Sequence, residues 1–469
     1  MLFASRILNN IDMDSFFETL SGYLWGWPMI VLLIGTHLYL TIRLRFPQRY
    51  LFTSIRLSVT SDKGTRGDVS QFGALATALA ATIGTGNIIG VATAVALGGP
   101  GAVLWCWLTG VFGMATKYSE GLLAIKYRVR QPDGSMLGGP MYALERGLKM
   151  KWLAVLFAVF TMCASLGIGA SVQSNAISSI CHDSYAMNPL WVGIVTASLT
   201  ALVVIGGVRS IARVCGALVP FMALFYVVGC VYVLVLNSSF LWPAIKLIVE
   251  SAFSPQAAGG GFVGGSFLLA ARYGIARGLF SNESGLGSAP IVAAAAQTRN
   301  PVRQALVSST GTFWDTVVIC AITGLVVVSS VLAHPSINFT DGAMITKAAF
   351  GLIPVVGTPF LLVALATFAF STILGWCYYG EMAVEYLSGR RWKLAYRVLY
   401  IAVVLVGAVV NLAVVWNAAD CMNALMAIPN LISLLLLSGI LVKETKHYLW
   451  EGRLDKWMPD EAGSADTPR

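Results

Sequence analysis

The stretch TIGTGNI, residues 82–88, lies in the middle of an apolar run that extends from about residue 70 to 97. A second stretch, SNESGLGSAP at residues 281–290, interrupts a run from about 262 to 296 in the same way. Glycine, asparagine and proline weaken a helix, and an unpaired backbone group in hydrocarbon costs several kcal/mol. Such breaks persist only where the loosened backbone is buried in protein or binds something. The two stretches therefore predict two interrupted membrane helices.

Composition supports a membrane protein. Of the 469 residues, 57% are hydrophobic and only 11% are charged, against roughly 25% charged residues in soluble domains. A membrane span needs roughly 20 apolar residues, and we identify eleven such runs. They cover about 23–44, 70–97, 100–125, 152–180, 189–207, 213–236, 262–296, 303–333, 354–387, 394–415 and 418–442. The eight cysteines lie mostly inside these runs and show no CxxC or Cys/His spacing, so we interpret them as packing residues.

The basic residues predict the topology. Alternate loops and the tail after residue 442 hold 25 of the 31 Lys and Arg residues, whereas the opposite side holds three. Positive residues remain in the cytoplasm, so we expect the N-terminus outside and the C-terminus inside. The first run is too long for a cleavable signal and follows acidic rather than basic residues. Short loops are typical of a bacterial inner-membrane protein. Because the basic residues are spread by membrane side, we expect no nucleic-acid partner.

Counted after the first span, the two breaks fall in helices 1 and 6 of a ten-helix core. Interrupted helices at corresponding positions of two halves indicate a transporter site between them. We therefore predict a leading helix and basic loop (1–67), two five-helix repeats (68–237 and 262–443), an extracellular connection (238–261) and a cytoplasmic tail (444–469). The repeat is inferred from hydropathy, since the halves share no clear sequence identity.

The first break frees backbone amide groups, which attract anions, and backbone carbonyl groups, which attract cations. Gly84 and Gly86 allow the chain to unwind, and the freed amides of Thr85 and its neighbours suit a substrate carboxylate. The freed carbonyls of Ala80 and Ile83 could face a cation. The alternative is a glycine face that packs helices tightly.

The second break carries an ionisable residue, Glu283, at membrane depth. Ionisable residues are rare at this depth and usually have a function, so Glu283 is a candidate functional residue. We expect it to form a structural or gating ion pair with Arg277 or Arg272; direct substrate contact is the alternative. Phe280 and Ser281 immediately precede it. We interpret the Phe280 ring as a wall of the pocket and Ser281 as a substrate-binding residue.

Two further spans supply polar groups. Ser371 and Thr372 are adjacent hydroxyls that could complete an oxygen cage for sodium, since hard cations prefer oxygen ligands. Trp376, one turn beyond Thr372, could limit substrate size. The alternative for the hydroxyls is a bond to their own helix. Gln173, in the middle of core helix 3, is either a substrate contact or a helix–helix hydrogen bond.

Several motifs resemble the alanine or glycine:cation symporter family. They are TIGTGNI (82–88), GGPGA (98–102), GMATKY (113–118), GGPMY (138–142) and GLFSNE (278–283), and the resemblance extends from about residue 23 to 446. It implies an all-α, leucine-transporter-type 5+5 inverted repeat with one additional leading helix, and sodium-coupled uptake of alanine or glycine. The implied pocket includes the residues Gly84, Gly86, Gln173, Phe280, Thr372 and Trp376. The implied sodium ligands are near Ala80, Ile83, Phe368, Ser371 and Thr372.

Two positions depart from the family pattern. Gly73 stands where we expect glutamine, and Ser284 stands where we expect alanine. Both bear on substrate identity, with glutamine or serine as the alternative cargo. Proton coupling through Glu283 or Asp315 is the nearest alternative mechanism. We find neither a repeated pore filter nor an enzymatic motif such as HExxH. We therefore expect a monomeric transporter, not an enzyme, that carries a small neutral amino acid with sodium.

Overall fold

The computed structural model describes residues 13–62, 64–253, 267–337, 342–410 and 413–458. Its helices are α1 (Met13–Arg43), α2 (Leu51–Ser58), α3 (Gln71–Thr82), α4 (Gly86–Gly98), α5 (Ala102–Lys126), α6 (Lys151–Tyr185), α7 (Pro189–Val204), α8 (Gly207–Leu236), α9 (Ser238–Phe253), α10 (Phe267–Asn282), α11 (Ala289–Ala293), α12 (Pro301–Ala333), α13 (Gly342–Gly351), α14 (Gly357–Ser388), α15 (Lys393–Val409), α16 (Ala413–Leu436) and α17 (Ser438–Thr445). Single turns at Pro47–Tyr50, Pro140–Tyr142 and Arg390–Trp392 and the π-helical turns Ala143–Gly147 and Lys446–Trp450 complete the helical structure. One hairpin pairs β1 (Val129–Arg130) with β2 (Met136–Leu137).

The first predicted break is confirmed. Helices α3 and α4 are bent by 55° relative to each other, and they meet the requirements of a membrane span only when taken together. Helix α3 ends when Ile83 adopts an extended conformation (φ −76°, ψ 92°). The side chain of Asn87 then accepts a hydrogen bond from the amide of Gly84 at 2.9 Å. A polar side chain thus replaces one of the helical hydrogen bonds that the break removes.

The second predicted break is confirmed as well. Helix α10 ends at Asn282, and the short helix α11 begins at Ala289. Between them Glu283, Gly285 and Gly287 have φ values of +52°, +91° and +86°. Left-handed backbone favours glycine, and a glutamate there is held by its surroundings. The predicted span began at residue 262, and its residues 262–266 lie outside the described residues.

The predicted spans correspond to helical segments of the structure. Among the described residues, seven helices are long and apolar enough to cross a membrane, and the bent pair makes an eighth. Helices α5, α7 and the α10–α11 pair supply the other three spans of the eleven. Several boundaries were predicted wrongly: α1 is already helical at Met13, ten residues before the predicted start, and α8 begins at Gly207, six residues before it. Helices α15 and α16 end at Val409 and Leu436, about six residues earlier than predicted. Nearly continuous apolar sequence between α15 and α16 gave no signal for the boundary.

The segment that begins the first interrupted helix lies beside the segment that ends the second. Val69 forms a parallel bridge with Ala296, in which the amide of Gln297 donates to the carbonyl of Val69 at 2.8 Å. Ser70 caps α3 by accepting a hydrogen bond from the amide of Gly73 at 3.0 Å. The segments before α3 and after α11 are therefore joined on one side of the bundle.

The hairpin lies against the same end of the molecule. The carboxylate of Asp68 precedes α3 but does not cap it; it accepts a hydrogen bond from the amide of Met136 at 2.8 Å. Asp133 accepts hydrogen bonds from Ser135 and from Arg390 at 2.6 Å each. These bonds lower the pKa of Asp133 to about 2, with the Ser135 hydroxyl as the largest cause. The hairpin thus connects the start of α3 to the turn after α14.

Candidate functional site

Five oxygen atoms converge where the first break meets α14. The hydroxyl of Ser371 lies 3.1 Å from the carbonyl oxygen of Ala80, 3.4 Å from that of Ile83 and 2.8 Å from that of Phe368. The hydroxyl of Thr372 lies 3.0 Å from the carbonyl of Phe368. The cluster thus contains all five predicted sodium ligands. Three carbonyls and two hydroxyls form the kind of oxygen-only donor set that a hard cation takes.

A small cavity lies next to this cluster. All eight residues that the sequence predicts for substrate binding line it: Gly84, Thr85, Gly86, Gln173, Phe280, Ser281, Thr372 and Trp376. Both breaks therefore face one space. Thr372 belongs to the cavity wall and to the oxygen cluster at once. A ligand in the cavity and a cation in the cluster would therefore share a neighbour.

Close packing limits the size of the cavity. A β-carbon on Gly84 would lie 2.7 Å from the hydroxyl oxygen of Thr372, closer than real contacts of this type. Trp376 is 1% exposed. Its position depends on Gly169 of α6, where an added β-carbon would lie 2.3 Å from the β-carbon of Trp376. The cavity can therefore hold only a small group beside the first break.

Polar groups point into the cavity from several helices. The Gln173 amide is oriented by two contacts: its nitrogen donates to the carbonyl of Ile168 at 3.3 Å, and its oxygen accepts from the Thr85 hydroxyl at 3.3 Å. Gln173 therefore forms a hydrogen bond to another helix and also lines the cavity; its contact with substrate stays a prediction. Asn423 of α16 also lines the cavity, and its side-chain oxygen lacks a hydrogen-bond partner among the described residues. The sequence analysis missed Asn423; its signal was a polar residue within the last apolar span.

A second polar cluster joins the two breaks behind the cavity. The carboxylate of Asp315, on α12, accepts from the side-chain amide of Asn87 at 2.7 Å and from the Ser281 hydroxyl at 3.0 Å. The Thr316 hydroxyl donates to the same carboxylate at 2.6 Å. Ser281 thus lines the cavity while its hydroxyl donates to Asp315. The sequence analysis did not assign Asn87, although it lies within the first quoted motif.

Glu283 has different partners from those predicted. Its carboxylate accepts a short hydrogen bond from Ser288, and the charged residue that acts on it most strongly is Lys117 of α5. The Lys117 ammonium donates to the backbone carbonyl of Glu283 at 3.1 Å. Among the described residues Glu283 forms no ion pair with Arg277, so that pairing was predicted wrongly. Trp376 lies beside the carboxylate, but its N–H makes no hydrogen bond of good geometry within the described chain.

Side chains of α5 and α16 also form hydrogen bonds with the backbone of the second break. The carboxylate of Glu120 accepts the amide of Gly285 at 3.0 Å and the side-chain amide of Asn430 at 2.7 Å. Asn430 also donates to the carbonyl of Gly285 at 2.9 Å. Lys117 lies 4.0 Å from Glu120. Charged and amide groups thus satisfy the backbone that the break leaves unpaired, as a low-dielectric interior requires.

A larger opening lies on the other side of Thr85. It is lined by residues of α4, α6, α13, α14 and α16, including Asp183, Lys347 and Trp416. Thr85 lines both this vestibule and the smaller cavity. The layer at Thr85 therefore separates the two spaces.

This combination defines a class of protein. Two interrupted helices enclose a small cavity beside a cation-type oxygen cluster in a multi-pass membrane chain. This is the arrangement of a secondary transporter. The model of the sodium:alanine symporter family matches residues 10–459, and the chain belongs to that family.

Individual relatives agree with this assignment. The chain is 48% identical over 446 residues to the sodium/alanine symporter AgcS of Methanococcus maripaludis, covering 93% of this chain and 98% of that one. It is 50% identical over 456 residues to an uncharacterized transporter of Haemophilus influenzae, covering 96% and 99%. The crystal structure of MhsT in complex with L-phenylalanine has a similar fold. It has a TM-score of 0.55 at 16% identity and covers 86% of this chain and 93% of that one. The leucine-transporter-type fold expected from the sequence is thereby confirmed.

Proposed function

We propose that this protein carries alanine or glycine into the cell together with sodium, by alternating access across a bacterial inner membrane. The observation that carries the proposal is the shared wall between the cavity and the oxygen cluster, in which Thr372 takes part in both. Family membership and the similarity to a sodium/alanine symporter support the same substrate and ion.

Sodium is proposed to bind among Ala80, Ile83, Phe368, Ser371 and Thr372. The Ser371 hydroxyl donates its hydrogen to the carbonyls of Ala80 and Ile83 at the first break. A bound sodium ion would take the place of that hydrogen and contact the same carbonyl oxygens. It would join the end of α3 to α14, because the Ala80 carbonyl belongs to α3, the Ile83 carbonyl directly follows it, and the hydroxyls belong to α14. Binding of sodium is therefore expected to favour one arrangement of the two halves over another.

The amino acid is proposed to bind between the breaks. Its carboxylate takes the amides of Thr85 and Gly86 at the start of α4, where the helix dipole favours an anion. The Gly84 amide is already taken by Asn87. The ammonium group donates to the side-chain oxygen of Asn423 and lies close to Glu283. Both residues line the cavity. The side chain faces Trp376 and Phe280, and the tight packing at Gly84 favours one no larger than a methyl group.

The energetics allow uphill transport. A tenfold sodium gradient supplies about 1.4 kcal/mol, and a potential of 100 mV supplies about 2.3 kcal/mol for one charge. Together these amount to about 3.7 kcal/mol, which supports accumulation of roughly 500-fold at most. We place the N-terminus outside and the C-terminus inside. On this orientation the vestibule beyond Thr85 opens to the exterior, and residues 68–237 and 262–443 are the two repeats.

The experiment uses purified protein in liposomes and radiolabelled alanine. Uptake is measured with an imposed inward sodium gradient and, in parallel, with matched potassium and proton gradients. We expect uptake with sodium alone, competition by unlabelled glycine, and strong loss in Thr372→Ala. Thr367→Ala is a matched control, because within the described residues the Thr367 hydroxyl bonds only to carbonyls of its own helix.

Each contrary outcome has a defined meaning. Uptake driven by protons alone would move the coupling role to the buried carboxylates of Asp315 or Glu283. Sodium-driven uptake of glutamine or serine in preference to alanine would identify Gly73 and Ser284 as the first residues to exchange. Ser284 contributes a hydroxyl 3.2 Å from that of Thr312, just behind the second break. No uptake of any neutral amino acid under any gradient contradicts the proposal.

A further inference from the structure

The segment 454–458, which we call the C-terminal strap, lies against the turn between α11 and α12. The side-chain amide of Asn300 donates to two alternate backbone carbonyls of the strap, at 2.8 Å and 2.9 Å. The amide of Met458 donates in return to the carbonyl of Arg299 at 2.9 Å. The strap is therefore bonded to two adjacent residues of the turn through its own backbone.

The strap completes the hydrogen bonding of a buried side chain. Asn300 is fully buried, and its side-chain oxygen caps α12 by accepting the amide of Arg303 at 3.1 Å. Among the residues that the structure describes, its side-chain nitrogen donates only to the strap. A buried donor without a partner is costly, and water can reach this nitrogen only when the strap leaves the turn. We therefore expect the bonds of the strap to form and break together.

A charge network joins the strap to the segment before α3. The guanidinium of Arg303 donates twice to the buried carboxylate of Asp62, at 2.9 Å each, and once to Asp455 of the strap at 2.7 Å. The Asp455 side chain is 84% exposed. An exposed ion pair contributes little to stability, so Arg303 can release the strap while it remains paired with Asp62.

The same turn lies at one end of both interrupted helices. Its first residue, Gln297, donates to the carbonyl of Val69 just before α3, and the amide of Arg299 donates to Asp62 at 3.3 Å. On the proposed orientation this is the inner side. The strap thus ties the inner ends of both interrupted helices to the segment that follows α17. Alternating access requires such ends to move relative to their neighbours.

We propose that the C-terminal strap restrains the opening of the inner side. While it lies on the turn, it favours the arrangement described above, and separation of the inner segments breaks its bonds to Asn300, Arg299 and Arg303. The restraint is reversible, because the bonds that break can be replaced by water. This inference rests on the proposed function, since inner opening matters only to a protein that alternates access.

The test measures inner opening through the reaction of a buried thiol with N-ethylmaleimide in detergent. Ala74 is buried on α3 and lines a small cavity between α3, α5, α11 and α12, so the thiol of Ala74→Cys reports opening on that side. Cys230, buried in the last third of α8, is the reference thiol. Peptide mass spectrometry separates the two signals. A buried thiol reacts only from an open form, so its labelling rate follows the population of that form.

Two changes remove the strap from the turn, and a third is the control. In the first, the chain ends after Arg453. The second, Asn300→Asp, retains the cap of α12, because aspartate caps as well as asparagine, but loses both donors to the strap. The control is Glu451→Gln, since within the described chain this carboxylate pairs only with His447 and Arg453, outside the strap.

We expect the thiol of Ala74→Cys to react about tenfold faster in the shortened chain and in Asn300→Asp, equivalent to about 1.4 kcal/mol. Glu451→Gln should leave its rate unchanged, and Cys230 should react equally in all variants. Equal rates with and without the strap would overturn the restraint. Parallel acceleration at Cys230 would overturn it too, because the changes would then loosen the whole bundle. Acceleration in the shortened chain without acceleration in Asn300→Asp would contradict the role of the bonds to the turn.

The labelling needs no substrate, so the restraint and the proposed function can fail separately. Wild-type protein that carries no neutral amino acid would contradict the proposed function. Equal labelling with and without the strap, in a protein that does carry alanine, would contradict the restraint alone.

Discussion

Replacing Gly84 by alanine is expected to weaken the coupled binding of sodium and substrate. The new methyl carbon would lie 2.7 Å from the hydroxyl oxygen of Thr372, whereas ordinary contacts begin at about 3.4 Å. Thr372 can yield only by leaving its bond to the carbonyl of Phe368, which is 3.0 Å long. A clash of this kind in a packed interior costs about 1–3 kcal/mol. That range corresponds to a loss of about 5- to 140-fold in affinity.

The assay is sodium-driven uptake of labelled alanine in liposomes, with the half-saturating concentrations of sodium and of alanine as readouts. The chain provides a graded control series. A β-carbon on Gly86 would lie 3.6 Å from the Phe280 ring, an ordinary contact, and one on Gly90 would meet nothing within 4 Å. We expect both half-saturating concentrations to rise in Gly84→Ala and neither to change in Gly90→Ala. In Gly86→Ala we expect only the alanine value to rise, because the new methyl group enters the cavity. Equal behaviour of Gly84→Ala and Gly90→Ala would refute the packing argument.

Three further predictions concern single contacts. Ser371→Ala removes the hydroxyl nearest to three carbonyls and should raise the half-saturating sodium concentration about tenfold or more with folding intact; a normal sodium dependence would exclude Ser371 as a ligand. Lys117→Met leaves the buried carboxylate of Glu120 without its cation, which should cost roughly 3–5 kcal/mol and lower the unfolding temperature in detergent; an unchanged temperature would contradict this pairing. The pKa of Asp133 is about 2, so its bond to Arg390 contributes stability above pH 4 and is lost only as the pH falls through 2. Proteolysis of the hairpin loop should therefore be the same at pH 5 and pH 8, and faster cleavage at pH 5 would show that another group controls the hairpin.

The breaks could be predicted because their signal is local: glycines in the middle of an apolar run need no tertiary contact to be recognised. The orientation indicated by the one-sided distribution of basic residues stays a prediction. Local sequence signals predicted only part of the oxygen cluster. Adjacent hydroxyls at Ser371 and Thr372 suggested a cage, but the complete set of five ligands came from the family resemblance.

The partners of the buried charges could not be predicted, because they depend on packing between distant segments. Asn87 and Asp315 are 228 residues apart, and no periodicity relates them. For Glu283, sequence proximity favoured Arg277, but six residues of helix rotate a side chain by about 240° beyond a full turn. The left-handed conformation of Glu283 redirects the chain once more. Lys117 of α5 therefore becomes its neighbour instead.

Sodium coupling is tested most directly by the current across a supported membrane of proteoliposomes after a rapid addition of alanine. We expect an inward positive charge movement in sodium, none in potassium, and a strongly reduced signal in Ser371→Ala. Current of equal size in both ions would contradict sodium coupling, and alanine uptake without any current in sodium would contradict the net movement of one charge with each cycle.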